Sequence, residues 1–563
     1  MPYNLMREPW LPLRRRGGGV EWVEPWRLTD RGPAGDNPFV AVDSPRADFN
    51  GALTEFLVGL AQTAWPPPDE RAWRRAWQEP PPPDELRRAC ESVVPAFDLD
   101  GPGPRFLQQT LPAKAERWPV HLLLIEQPEP TKEKDNKDHF IKRGQVGALC
   151  PACLAAALHT LQTYAPSGGR GHLTSLRGGG PLTTLALADD LWQTVWLAVQ
   201  PADRFWRKQP RSTDQALTFP WLRPSPTGDK ETRLSPIQTD PTQAFWGLPR
   251  RIWADCQAEP EIGLCSLCGR GPAPLVDGFW VRPNGIKYEG PWLHPLSPHY
   301  WKDGQPFAVK GTSGGLSYRH WLGLAVARAQ AGASGGGDAD KTRVVRAQAI
   351  ELFEERRERQ EMLDDEHTPR RLWAFGYDMD NKKARAWVDS RMPLVLIGPE
   401  HGQAYEQGVK ALVETAQQAA SALARCLKEA WFGKGSPVKS NQGDLERMGR
   451  LFWAETETDF YQAVAALKAL LEQGHDFWSL EEEDGNAFKE GWLTTLQLKT
   501  RAIFDEYSQF EQVERANPKR IVLARKNLWF WAGPWAKKMR ETLNLPALEK
   551  PARQTKREKG EQS

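Results

Sequence analysis

The residues best equipped for chemistry are four of the seven cysteines. Cys150-Pro-Ala-Cys153 and Cys265-Ser-Leu-Cys268-Gly269 are two C-x-x-C pairs far apart in the chain. Together they offer four thiolates, a complete tetrahedral set for a structural zinc ion. Two separate buried pairs, or a redox dithiol at Cys150, are the alternatives, but no thioredoxin-like βαβ pattern surrounds that motif. A helix follows the first pair. Then comes a glycine-rich, basic stretch, Ser167–Gly180, containing Gly168-Gly169-Arg170-Gly171. Backbone without Cβ atoms approaches a ligand closely, and its N–H groups can meet phosphate or a narrow groove. Arg170, His172 and Arg177 interleave this stretch as potential cations. A metal joining the two pairs is expected to pin the start of the segment, and the loop is expected to touch nucleic acid. Cys90, Cys256 and Cys426 are isolated and read as packing residues.

Catalytic constellations are missing. Gly433-Lys434-Gly435-Ser436 lacks the spacing of a phosphate loop, and His475-Asp476 has no second metal-binding cluster to support it. Gly337-Asp338-Ala339-Asp340 lacks the flanking apolar strands of a polymerase turn. There is no H-E-x-x-H and no G-x-S-x-G. A non-enzymatic protein is expected. The competing classes are a zinc-stabilised nuclease or polymerase-like subunit and an adaptor whose loop binds protein.

The elements that must position these residues follow from periodicity. Lys+Arg number 74 against 72 Asp+Glu, so any basic surface is local. The start, Met1-Pro2-Tyr3-Asn4-Leu5, lacks a basic and apolar leader pattern, no apolar run is long enough to span a membrane, and paired cysteines suit a reducing compartment; a cytoplasmic protein is expected. The 26 tryptophans are expected mostly in cores. Trp10–Glu24 reads as a hairpin around Arg14-Arg15-Arg16-Gly17-Gly18-Gly19, a solvated turn or a phosphate contact. Asn50–Ala64 and Thr342–Met362 read as helices. Thr131–Gly147 is a charged loop carrying Phe140-Ile141 beside Lys142. Gly278–Pro298 reads as a hairpin turning at Pro283-Asn284-Gly285, and Gly376–Ser390 as a polar loop feeding a strand. After Pro399 helical spacing takes over in four amphipathic segments, an antiparallel four-helix bundle. Lys519, Arg520, Arg525 and Lys526 on its last helix are expected to add non-specific DNA affinity. The expected architecture is α+β: a mixed α/β domain over 1–398 with the four-cysteine zinc site, a four-helix bundle over 399–549, and a basic tail, 550–563.

An ordered set of motifs resembles one family. It runs from the opening hairpin with Trp10 and Pro12 through Gly147-Ala148-Leu149-Cys150, Ser175–Thr184, Phe245–Pro249, Cys265–Gly269 and Trp292–Pro298 to Gly376–Trp387 and the bundle. Together these resemble the large subunit, CasA, of the type I-E CRISPR surveillance complex, Cascade. The resemblance implies a non-catalytic subunit that inspects double-stranded DNA, reads the motif flanking the target (the PAM) and opens the duplex for guide-RNA pairing. It also implies partners: the 5′ region of the guide RNA, the backbone and small subunits, and the helicase-nuclease. The family's glycine loop falls on Gly168, Gly169, Arg170 and Gly171. Its wedge falls on Asn381, Lys382 and Lys383, where a glutamine is replaced. Its lysine finger falls at Pro283, so Arg282 or Lys287 is expected to substitute. The loop near the PAM-proximal DNA or guide end falls on Phe140, Ile141 and Lys142.

Overall fold

The computed structural model describes residues 2–111, 114–127, 144–168, 171–207, 211–224, 231–312, 314–328, 343–359, 370–380, 383–439, 443–508, 517–546 and 548. The chain forms two compact units, Met1–Leu316 with Gly323–Leu396, and Ser317–Leu322 with Ile397–Ser563. The first is mixed α/β and carries the four-cysteine cluster; the second is helical.

In the first unit β1 (Leu11–Arg15) pairs antiparallel with β2 (Val20–Val23) and β3 (Phe39–Val42). The middle arginine of the turn triplet is structural. Arg15 is buried, donates to both oxygens of Glu21 (3.0 and 2.9 Å), and lies 3.7 Å over the Phe39 ring. The core forms around α1 (Ala47–Ala64), most of whose residues are buried. Phe56 is its hub. Trp10, Phe97, Phe106, His159 and Trp246 all meet that ring edge-on at 5.2–6.1 Å. Next come α2 (Glu70–Gln78) and α3 (Pro83–Cys90), β4 (Glu116–Pro119), α4 (Pro151–Tyr164), β5 (Thr183–Leu187), α5 (Leu191–Ala198) and α6 (Ala202–Phe205). Trp73 on α2 and Trp196 on α5 each donate an indole N–H to the other's carbonyl at 2.9 Å, and the Arg356 guanidinium lies 3.5 Å over Trp73.

The strands β6 (Thr232–Leu234), β7 (Arg251–Ala254), β8 (Ile262–Gly263), β9 (Ala273–Pro274), β10 (Gly278–Arg282) and β11 (Ile286–Tyr288) replace the expected hairpin at 278–298 with separate pairings. β10 lies between β4 and β7, and β11 pairs parallel with β6. The turn between them diverges because Gly285 sits on the Pro249 carbonyl, where a Cβ would approach to 2.2 Å. β12 (His299–Lys302) and β13 (Gln305–Ala308) form a small hairpin. The helix expected at Thr342–Met362 is shorter, α7 (Gln348–Glu358), because Val345 exchanges backbone hydrogen bonds with His299 (3.0 and 2.8 Å).

The polar loop expected at 376–390 is instead a long hairpin. β14 (Arg371–Asp380) and β15 (Lys383–Pro393) pair from Arg371↔Pro393 to Asp380↔Lys383, and β14 also pairs with β5. β14 is central and buried through Leu372–Tyr377. Its polar partner β15 is an edge strand facing solvent.

In the second unit α8 (Gly402–Phe432) is the longest helix. Around it stand α9 (Gly443–Glu455), α10 (Glu457–Glu472), α11 (Glu483–Tyr507), α12 (Pro518–Ala532) and the short α13 (Lys537–Thr542). Asn517 caps α12 by accepting from Arg520 N–H (3.1 Å), with Pro518 at the first helical position. The second predicted segment is broken between α9 and α10 at Thr456, whose hydroxyl donates to Phe452 O (2.7 Å) and shares a hydrogen bond with Tyr318 OH (2.8 Å). Ser317–Leu322 belongs to this unit because Tyr318 stacks on Phe460 at 4.2 Å and Trp321 meets the same ring at 5.8 Å.

Phe56 has no solvent exposure and five ring neighbours, so Phe56→Ala leaves a cavity that those rings cannot all close. The expected cost is about 3–5 kcal/mol. A denaturant titration of the purified chain measures it, and a loss below about 1 kcal/mol would contradict this account of the core.

Candidate metal centre and nucleic-acid interface

The first cysteine pair is set by a helix start. Cys150 is the N-cap of α4, and Pro151 follows at N1, where no backbone donor is needed. The second pair occupies the turn between β8 and β9. There Cys265 N–H donates to Arg270 O and Gly269 N–H to Cys265 O, both at 2.9 Å. Gly269 holds φ +71°, a conformation that glycine adopts readily. Backbone bonds stitch the two knuckles together. Leu149 and Val276 each donate to the other at 2.9 Å, Ser266 N–H donates to Ala148 O (3.0 Å), and Ser266 Oγ accepts from Gly147 and Ala148. The Arg270 guanidinium lies 4.0 Å over Trp22 on β2.

The four sulfurs lie within 4.8 Å of one another, with Cys150 Sγ and Cys268 Sγ 3.8 Å apart. Tetrahedral thiolates around a zinc-sized ion stand about 3.8 Å apart, so the donor set fits such a metal. Hydrogen bonds with Cys150 and Cys153 pull the Cys265 thiol below its usual range and hold Cys268 at about 7, while Cys153 is pushed up.

The glycine segment is not held by this cluster. It begins beyond the other end of α4, whose 14 residues span about 21 Å at 1.5 Å per residue. Its own bonds hold it instead. Gly168 N–H donates to His172 O (3.0 Å), Ser175 N–H to Ala165 O (3.1 Å) and Gly180 N–H to Tyr164 O (3.2 Å), while Arg250 donates to Pro166 O. A Cβ on Gly168 would meet His172 Cβ at 2.6 Å. Two of the expected cations do not serve as such at the surface. Burial, then Arg250, pushes His172 down to about 4, so it is neutral. Arg177 turns inward onto Glu55 of α1 at 2.6 Å, with both side chains at most 4% exposed. Arg177 also donates to Thr183 Oγ1 (2.9 Å) and Ser297 Oγ (3.0 Å), and Tyr164 OH and Thr183 OH donate to the same Glu55 carboxylate.

The segment touches both of the other mapped elements. Gly171, at φ +79°, accepts from Asn284 N–H (2.8 Å), and a Cβ there would meet Asn284 Oδ1 and Pro283 Cβ at 2.6 Å. At its other end Gly180 lies on the β14–β15 hairpin, where a Cβ would meet Met379 Cγ at 2.6 Å and Tyr377 O at 2.7 Å. Of the single residues, Arg282 donates to Lys114 O (2.7 Å), and Lys287 pairs with Glu289 (3.0 Å) and Glu231 (3.8 Å). Lys383 is exposed opposite Asp380 at the hairpin end. Phe140, Ile141, Lys142, Gly169, Arg170, Asn381 and Lys382 lie outside the described residues. In the helical unit, Arg520 donates to Ala430 O and Trp431 O (both 2.8 Å) and Arg525 pairs with Asp505 (2.6 Å), which leaves Lys519 and Lys526 of the expected basic group.

The sequence reading missed Lys310. It is exposed, has no ion-pair partner among the described residues, and runs past Gly178, where a Cβ would lie 3.5 Å from its Cε. Its signal was available: Lys310-Gly311-Thr312-Ser313-Gly314-Gly315 has the basic, glycine-rich texture of the first loop.

Residues 4–502 match the family model for CRISPR-associated protein Cse1. The chain belongs to the Cse1 family. Solved Cse1 folds superpose over nearly the whole chain. CasA of Thermus thermophilus gives a TM-score of 0.63 at 15% identity, covering 95% of this chain and 100% of that one. Cse1 of Thermobifida fusca gives 0.65 at 16%, covering 96% and 98%. A chain from a structure described as a CRISPR RNA-guided surveillance complex gives 0.61 at 15%, covering 94% and 99%. At such identities the likeness speaks to fold, and the Cse1 fold here is a mixed α/β unit followed by C-terminal helices.

Arg177→Ala would leave the Glu55 charge buried without its cation. The expected destabilisation is about 3–5 kcal/mol. Urea unfolding followed by tryptophan fluorescence measures it; a change under about 1 kcal/mol would mean that water reaches the carboxylate.

Proposed function

We propose that this Cse1 protein is the non-catalytic large subunit of an RNA-guided antiviral DNA surveillance complex. It reads the PAM in double-stranded DNA, opens the duplex for R-loop formation and helps recruit the helicase-nuclease. Its partners are the target duplex, the 5′ end region of the guide RNA, and the backbone and small Cascade subunits, in the cytoplasm. One observation carries the reading beyond family membership: a single glycine segment, 168–180, contacts both the 282–285 turn and the β14–β15 hairpin. A flank-reading loop and a strand-separating hairpin have to act on adjacent base pairs, so they need one rigid mount.

In this reading Gly168, Gly169, Arg170 and Gly171 lie against the minor groove, with Arg282 or Lys287 beside them. Lys287 then contributes through an ion-pair network rather than as a lone cation. Asn381, Lys382 and Lys383 enter between the strands, and Phe140, Ile141 and Lys142 face the PAM-proximal DNA or the guide end. Protein reads the flank and base pairing reads the sequence. The metal at Cys150, Cys153, Cys265 and Cys268 is structural zinc, which closes the knuckles and takes no part in reading.

Co-purification with guide RNA and small subunits, followed by a binding screen over randomised flanks, tests this function. Opening DNA costs about 1.4 kcal/mol per base-pair step before guide pairing offsets it. Gly169→Val is expected to weaken flank-selective binding to intact duplex and to do less harm on a pre-melted bubble. Lys382→Ala with Lys383→Ala is expected to keep selectivity and slow opening. Wild-type flank selectivity in the Gly169→Val variant would remove the loop from the PAM site.

For the metal, Cys265→Ser is expected to abolish bound zinc and the amide-exchange protection of 144–154 and 262–276. Residues 171–180 should stay protected, since their own bonds hold them. In small peptides a structural zinc contributes roughly 10–16 kcal/mol, so the local loss should be complete. Absence of zinc in elemental analysis of the wild type would overturn the assignment.

A further inference from the structure

The β12–β13 hairpin carries an outward face that the described residues leave uncovered. Its register sets Tyr300 opposite Phe307 and Lys302 opposite Gln305. The period of two in a strand puts all four on one side. Tyr300 and Phe307 stack, with ring centroids 5.8 Å apart and planes at 22°. Phe307 is 45% exposed, Lys302 and Gln305 are exposed and Tyr300 is half-buried. The opposite side turns inward through the buried His299 and Pro306. The aromatic pair is therefore not the hairpin's anchor.

Two further observations say what could lie there. Lys302 and Lys310 have no carboxylate partner among the described residues, and Asp303 in the turn is the hairpin's only acid. The strand also continues into the proposed interface. Leu182 N–H donates to Val309 O (2.7 Å), Lys310 bridges to Pro181, and Gly311 bridges to Asp378 near the end of β14. Stacked rings beside an unpaired cation form a platform for single-stranded nucleic acid, tolerant of sequence because every base has a π-face.

Resting on the reading above, we infer that this face is a track for single-stranded DNA: the strand released at the β14–β15 hairpin stacks its bases on Phe307 and Tyr300 and sets its phosphates against Lys302. A peptide partner is the less favoured occupant, since the face is a flat pair of rings beside an unpaired cation and not an apolar groove.

The full-length chain, titrated with a fluorescent oligothymidylate over a range of salt, tests this without the assembled complex. Tyr300→Ala with Phe307→Ala is expected to weaken binding by about tenfold or more. Phe307→Trp should keep it. Lys302→Ala should reduce the salt slope by about 0.7. An unchanged thermal unfolding midpoint separates these effects from misfolding. No oligothymidylate binding by the wild type, or equal binding and slopes in the variants, overturns the inference. So does unchanged binding combined with loss of a co-purifying protein subunit, which would make the face a protein interface. Failure of the function itself shows elsewhere, as absence of flank-selective duplex binding by the assembled wild-type complex.

Discussion

A carboxylate buried in the middle of a helix is the constraint on which the first unit depends. Glu55 sits on α1 with almost no access to water. An isolated charge there would be prohibitively costly, so its oxygens must be met by donors. The donors come from far along the chain. Tyr164 closes α4, Arg177 lies in the glycine segment, and Thr183 opens β5. Arg177 extends the set to Ser297, which donates in turn to Leu182 O at 2.8 Å. Satisfying one charge therefore fixes where α4 ends, where the glycine segment turns, and how the sheet beneath the long hairpin begins. Phe56, one residue further along α1, is the hub of the aromatic shell in the same core.

The same arrangement explains how far the sequence can be read. Helices declare themselves through local spacing: α1 and the helices after Pro399 show their apolar period directly. The cysteine pairs declare themselves through chemistry, because few other roles need two C-x-x-C pairs. Arg177 gives no local sign of turning inward. Its partner is 122 residues away, and among glycines and other cations an arginine reads as surface. The β14–β15 hairpin reads as a loop because its edge strand is polar; alternation, not composition, is the signal in Lys383–Ser390. The strands flanking Pro283-Asn284-Gly285 look like each other's partners, yet each pairs with a segment remote in sequence.

The candidate site is legible in kind more than in arrangement. That the glycine segment spans from the 282–285 turn to the hairpin depends on non-local packing at Gly171 and Gly180, where the missing Cβ makes room for neighbouring protein. Some glycines of such a loop thus serve its mounting. The distance along α4 likewise divides labour that adjacency in sequence had merged, since the cysteine cluster and the loop occupy opposite ends of one helix.

The strap at Ser317–Leu322 makes the chain pass between the two units three times, at 316–317, 322–323 and 396–397. The helical unit is therefore not a bead at the end of a string. A fragment beginning at Ile397 would lack Tyr318 and Trp321 and expose the Phe460 side of its core to water. Modular exchange of this unit between homologues, whether by recombination or by design, would have to carry a six-residue cassette from the middle of the other unit along with it. That linkage ties the inheritance of the two units together.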